Sequence, residues 1–230
     1  MTKLYAALGD SMSIDVYAGG PGRGAASLLH RNRDADFPDW SGRDLHSHGY
    51  ELLDLSYDGA TTGGVLDQQL PRLDRSADLV TITIGRNDLM GAYGDTAGAE
   101  AVIRTVAGRV DAILDGIGTG SRVVVSTVYD PSDGTGAVPS GLPPWPDGPR
   151  LVQDLNARLA GLADRHGAVV ADLHAHFLGH GTKAGDPGQP HPRPDNRDLW
   201  YCGVIEPNAW GASEIRRVWW QAVEGAGWLS

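Results

Sequence analysis

Apolar positions along the chain switch repeatedly between two spacings. Short apolar runs at residues 4–8, 50–55, 79–84, 122–128 and 168–173 have strand length and read as strands buried on both faces. Between them, apolar residues recur three and four apart. The strongest such stretch is 96–117, where Val102, Val106, Val110, Ile113 and Leu114 share one helical face. A second spans 149–166, with Leu151, Leu155, Leu159 and Leu162 in one stripe, Asp147, Gly148 and Pro149 as its start signal and Gly167 as its stop. A third, 207–224, opens on Pro207 and carries Ile215, Val218, Trp219 and Ala222. Weaker helical stretches are expected at 38–48 and 63–73, the latter with Pro71 near its end. Strands alternating with helices predict an α/β fold around a five-stranded parallel sheet.

Two long connections remain, 129–148 and 178–203, the first rich in proline and the second in Gly, Pro, His and Asp. Connections this long in a compact domain are usually functional. We expect both at the carboxyl end of the strands, where open α/β sheets bind ligands.

Composition narrows the class. Residues 1–230 fit one domain, and 41% hydrophobic with 21% charged residues is ordinary for a globular chain. No apolar run approaches the roughly 18 residues of a membrane-spanning helix, and residues 1–7 lack the features of a secretory signal. The single cysteine, Cys202, excludes an internal disulfide and suits a reducing, cytoplasmic setting. A net charge of −10 argues against nucleic acid as a partner. A small-molecule substrate is expected instead, and the sequence leaves the oligomeric state open.

Three strand ends carry reactive groups. Gly9-Asp10-Ser11 follows the first run, so Ser11 stands at the ligand face, as either a helix cap or a nucleophile that needs a base and an oxyanion site. The third run ends in Gly85-Arg86-Asn87-Asp88, where the Asn87 amide is a suitable oxyanion donor. The second ends in Asp58-Gly59-Ala60-Thr61-Thr62, where Gly59 presents a backbone N–H without a side chain in the way.

Together, Gly9-Asp10-Ser11-Met12, Asp58-Gly59-Ala60-Thr61-Thr62 and Gly85-Arg86-Asn87-Asp88 resemble the three leading motifs of the SGNH, or GDSL-type, hydrolases. The resemblance implies a flavodoxin-like three-layer α/β/α sandwich and a serine hydrolase acting on esters. It implies Ser11 as nucleophile, with the backbone N–H groups of Ser11 and Gly59 and the Asn87 side chain as oxyanion hole. The family's last motif, an aspartate three residues before a histidine, is altered. Residues 202–211 keep Pro207-Asn208 and Gly211, but the histidine position holds Glu206 and the aspartate position Gly203.

Three accounts of that change follow. Another histidine could reach Ser11: His174, His176 and His180 just past the fifth strand, or His191 in the long loop, which we favour because its loop leads into Glu206. Glu206 could itself be the base, if burial raises its pKa. Or the scaffold is repurposed for a lyase, cyclase, isomerase or binding role, with Glu206, Asp10, Asp15 and Asp88 as acid–base groups. Asp10, Arg86 and Asp88 are expected to contact substrate, and Arg23 or Arg86 could take a carboxylate. Asp172, His174, His176 and His180 have metal-ligand chemistry but poor spacing, so neither metal nor cofactor is expected. Gly19-Gly20-Pro21-Gly22-Arg23-Gly24 lacks the ending of a phosphate loop and reads as a pocket loop. Trp145 and Trp200 are candidate pocket linings.

Overall fold

A computed structural model of the chain describes residues 2–73, 76–138, 142–184 and 198–229. Five parallel strands, β1 (Lys3–Gly9), β2 (Tyr50–Asp54), β3 (Leu79–Thr83), β4 (Arg122–Ser126) and β5 (Val169–Ala171), form a sheet in the order β2-β1-β3-β4-β5. This is the flavodoxin-like order. The register sets Gly9 beside Thr83 and Ala7 beside Asp54, so the ends of the three leftmost strands share one edge.

Alternation along β1 splits the core. Leu4, Ala6 and Leu8 face one cluster with α4 (Thr96–Ile117) and α5 (Gly148–Arg165). Tyr5 and Ala7 face the other, with α1 (Ala25–His30) and α7 (Ala209–Gly225). Every residue of β3 is buried, as a central strand covered by helices on both faces requires. Three layers, α/β/α, result.

Three expectations need correction. Residues 38–48 form two single 3-10 turns, Pro38–Trp40 and His46–His48, because the stretch has too few apolar residues for a helical stripe. Residues 63–73 are not one helix. A turn of α-helix, α2 (Thr62–Gly64), passes into a π-helical turn (Val65–Gln69) and a 3-10 turn (Leu70–Arg72), and Pro71 supplies no N–H to continue the ladder. The last helix starts at Ala209 rather than Pro207, since Asn208 caps it by accepting from the N–H groups of Trp210 and Gly211.

Two elements were not foreseen. Asp172 caps a short helix, α6 (Leu173–Phe177), right after β5. A small antiparallel pair, β6 (Tyr201–Cys202) with β7 (Glu206–Pro207), turns at Gly203, whose φ of +59° suits glycine. That hairpin fixes where Glu206 stands. Helix α3 (Arg86–Met90), immediately after β3, completes the frame of the site.

Candidate active site

The turn after β1 is held from three sides. The Gln69 side chain grips Gly9, accepting from its N–H at 2.7 Å and donating to its carbonyl at 2.8 Å. The Asp10 N–H donates to the Thr83 carbonyl, and the Met12 N–H donates to Asp10 Oδ1 at 3.1 Å. Ser11 is thereby presented at the end of β1 with 1% exposure.

The second and third strand ends are latched together. Asn87 Nδ2 donates to the Ala60 carbonyl at 2.9 Å. The Asp88 carboxylate accepts from the Thr62 N–H and hydroxyl at 2.8 and 2.7 Å and pairs with Arg109 at 3.6 Å. One Asn87 amide hydrogen is used in this way; a second remains. Gly59 adopts φ +72°, and among the described residues neither its N–H nor that of Ser11 has a hydrogen-bond partner.

Arg86 is the centre of the cluster. The residue is 3% exposed. Nη2 donates to Ser11 Oγ at 3.2 Å and to Glu206 Oε2 at 3.4 Å. Nη1 donates to the Ile205 carbonyl at 2.6 Å and to the Tyr129 hydroxyl at 3.1 Å, while Tyr129 donates to the same carbonyl at 2.9 Å. Nε is buried without a partner. Tyr129 is stacked on Phe177 with ring centroids 4.6 Å apart, so it is a rigid anchor.

Charge in this corner is finely set. Burial alone would lower the Arg86 pKa, but Tyr129, Asp10 and Glu206 together raise it above its ordinary value, and the cation is kept. Burial pushes the Asp10 carboxyl up to about 6, against the opposing pull of Arg86 and the Met12 N–H. Its Oδ2 is buried and unpartnered. Burial also raises the Tyr129 hydroxyl, with Arg86 pulling the other way, so this phenol stays protonated as a donor.

Among the described residues, the histidines are elsewhere. His176 Nε2 pairs with Glu214 at 2.8 Å, and His180 Nδ1 contacts the Asp198 carbonyl and lies flat on Trp200, centroids 3.4 Å apart. The backbone N–H of His174 donates to Thr127. Among the described residues the hydrogen-bond partner of Ser11 Oγ is Arg86 alone. His191 lies outside the described residues. No group of three His, Cys, Asp or Glu residues able to hold a metal ion occurs among the described residues.

Beside the cluster, Arg86, Tyr129 and Ile205 form one wall of a mostly apolar cavity that continues to Leu89, Tyr93, Val128, Trp145 and Val152. About 60 Å3 of it is open to the centre of a water-sized sphere. Trp145 lines this cavity as expected, whereas Trp200 is 2% exposed and packs against Phe177 and the histidines. Sequence reasoning missed Tyr129 and Gln69. Tyr129 stands just past a strand end, the signal that found Ser11 and Asn87; Gln69 gave no signal, because its role depends on the π-helical turn.

The chain is 30% identical over 207 residues to a lipase of Streptomyces rimosus, covering 80% of this chain and 74% of that protein. In structure it is similar to the extracellular lipase of Streptomyces rimosus (TM-score 0.64, 23% identity, 96% of this chain and 100% of that one). It is also similar to phospholipase A1 of Streptomyces albidoflavus NA297 (TM-score 0.61, 24% identity, 96% and 100% covered). No helix among the described residues is long and apolar enough to cross a membrane. A family model matches residues 7–211, and with it the chain belongs to the GDSL-like lipase/acylhydrolase family.

Proposed function

We propose that the protein is an ester hydrolase or acyl transferase that uses Ser11 as nucleophile and lacks the family's usual histidine base. The observation that carries this reading is the position of Ser11: buried, at the end of β1, with its Oγ bound by a guanidinium that also binds Glu206. Attack of Oγ on an ester carbonyl places negative charge on the carbonyl oxygen. The unpartnered N–H groups of Ser11 and Gly59 and the second Asn87 amide hydrogen are suited to receive it. Asp88 acts from behind, fixing the Gly59–Thr62 turn through Thr62. Glu206 occupies the position of the missing histidine, and Gly203 that of its aspartate. The chain is read as one domain over residues 1–230, and its single thiol supports a cytoplasmic setting, although the Streptomyces rimosus relative of known structure is extracellular.

A fluorophosphonate probe tests the nucleophile. Intact mass should gain one phosphonyl group in the native protein and none in Ser11→Ala, which should also lose turnover of p-nitrophenyl butyrate. A folded native protein that takes no adduct would overturn this reading. It would favour a second one, non-hydrolytic chemistry by Asp10 and Glu206, which the buried, unpartnered Asp10 Oδ2 and its raised carboxyl support.

A further inference from the structure

A serine hydroxyl in a site of this kind needs a neighbour that takes its proton, and a guanidinium does not accept protons. Arg86 is nevertheless the group on Ser11 Oγ, and one nitrogen, Nη2, holds both Ser11 Oγ at 3.2 Å and Glu206 Oε2 at 3.4 Å. Burying a cation costs several kcal/mol unless it is well paired. A neutral side chain at position 86 could occupy the same space, so the charge calls for an explanation.

The shared nitrogen provides one. Resting on the reading of Ser11 as nucleophile, we propose that Arg86 is a catalytic residue: one of its nitrogens holds Ser11 Oγ and Glu206 together and stabilises the negative charge that builds on Oγ as the proton leaves. In the resting state the negative charge is on Glu206. As Oγ attacks, the Ser11 O–H bond breaks and its proton passes to Glu206. The Oγ–carbon bond forms, and the carbonyl electron pair moves onto the carbonyl oxygen. Negative charge therefore leaves Glu206, builds transiently on Ser11 Oγ, the other partner of Nη2, and then passes to the carbonyl oxygen. Nη2 meets that charge while the proton moves, which is where a buried cation lowers the barrier. Collapse of the intermediate expels the alcohol oxygen, which takes the proton back from Glu206. A water or acceptor alcohol then repeats the cycle, releasing the acyl group and restoring the Ser11 hydroxyl.

Arg86 is placed for this role by its other bonds. Tyr129 and the Ile205 carbonyl hold Nη1, which fixes the plane of the guanidinium and aims Nη2 at Ser11. The groups that face Arg86 are Asp10, Tyr129, Tyr201 and Glu206, and those that face Glu206 include Tyr17 and Cys202.

The test is the rate of fluorophosphonate labelling from pH 5 to 10 in the native protein, Arg86→Gln, Arg86→Lys and Glu206→Gln, each checked for folding by near-UV circular dichroism. Removing a charged donor at the reacting oxygen is expected to slow Arg86→Gln by about 100- to 1,000-fold and to move its pH profile to higher pH. Arg86→Lys, which keeps the charge, should label faster than Arg86→Gln. Glu206→Gln, which cannot take the proton, should label far more slowly than the native protein. Labelling of Arg86→Gln at the native rate, or faster, with an unmoved profile would overturn the proposal and leave Arg86 as a strap for residues 205–206. Should Arg86→Gln not fold, Arg86→Met, which keeps the stem and removes the charge, decides in its place: a native rate and profile there would overturn the proposal. A native protein that does not label removes the nucleophile itself, a failure distinct from native labelling that ignores Arg86.

Discussion

Asp10 shows what a single buried carboxylate contributes. Its pKa is about 6 in the fold and about 3.9 when exposed. The native state therefore binds this proton more tightly than the unfolded chain. The group's contribution to stability is complete below about pH 4 and is lost as pH rises through about 6. Two pKa units correspond to roughly 3 kcal/mol. Asp10→Asn, which keeps the acceptor for the Met12 N–H, should gain stability relative to the native protein between pH 4 and 7 and change little above it. Thermal melts of both proteins across that range check the sign; a constant difference would contradict it. At this scale the strand ends were legible in the sequence, and the structure places Ser11, Gly59 and Asn87 at three of them. It was silent on Tyr129, because a lone tyrosine in a proline-rich connection looks like any other until its hydroxyl is seen on Arg86 and the Ile205 carbonyl.

The element that matters most is the end of β1. Gly9 has φ +134°, and a Cβ there would lie 2.1 Å from the Thr83 carbonyl oxygen, so only glycine lets β1 and β3 stay paired to the last residue. Gln69 completes the arrangement by satisfying the Gly9 N–H in a site without water access. Gln69→Leu strands that N–H and should cost about 2–3 kcal/mol, read from urea unfolding at constant slope. A smaller cost, below about 0.5 kcal/mol, would mean the turn re-forms without it. The long helices were legible because α4 and α5 each carry an unbroken apolar stripe. The short elements were not. The π-helical turn that aims Gln69 and the β6–β7 hairpin that carries Glu206 are each set by a few contacts to the rest of the chain, and no periodicity announces them.

For the whole molecule, we propose that the cavity beside Arg86 receives the acyl group. A water needs about 10–15 Å3 of such space, so the roughly 60 Å3 present takes a group of only a few carbons. Esters of butyric or hexanoic acid should therefore have higher kcat/KM than those of palmitic acid. Val152→Phe, which narrows the cavity, should lower kcat/KM for the hexanoate by about tenfold, near the effect of losing two methylene contacts, and spare the acetate. Equal loss for both esters would show that the acyl group lies elsewhere. The fold class follows from the alternation of strand and helix patterns, whereas the sheet order was implied by the resemblance to the SGNH hydrolases. The size of this cavity does not, since its walls come from α3, α5 and two loops brought together only by packing.

The hydrogen bond from Arg86 to the Ile205 carbonyl joins residues 119 positions apart, and the bond to Ser11 spans another 75. Contacts this distant in sequence form late, because a long stretch of chain must close first. During synthesis the sheet strands emerge well before residues 205 and 206. Until those arrive, Arg86 is a cation without its carbonyl and carboxylate, and the pocket around it has reason to stay open to water. The reactive corner is therefore completed only once residues 205 and 206 have been made.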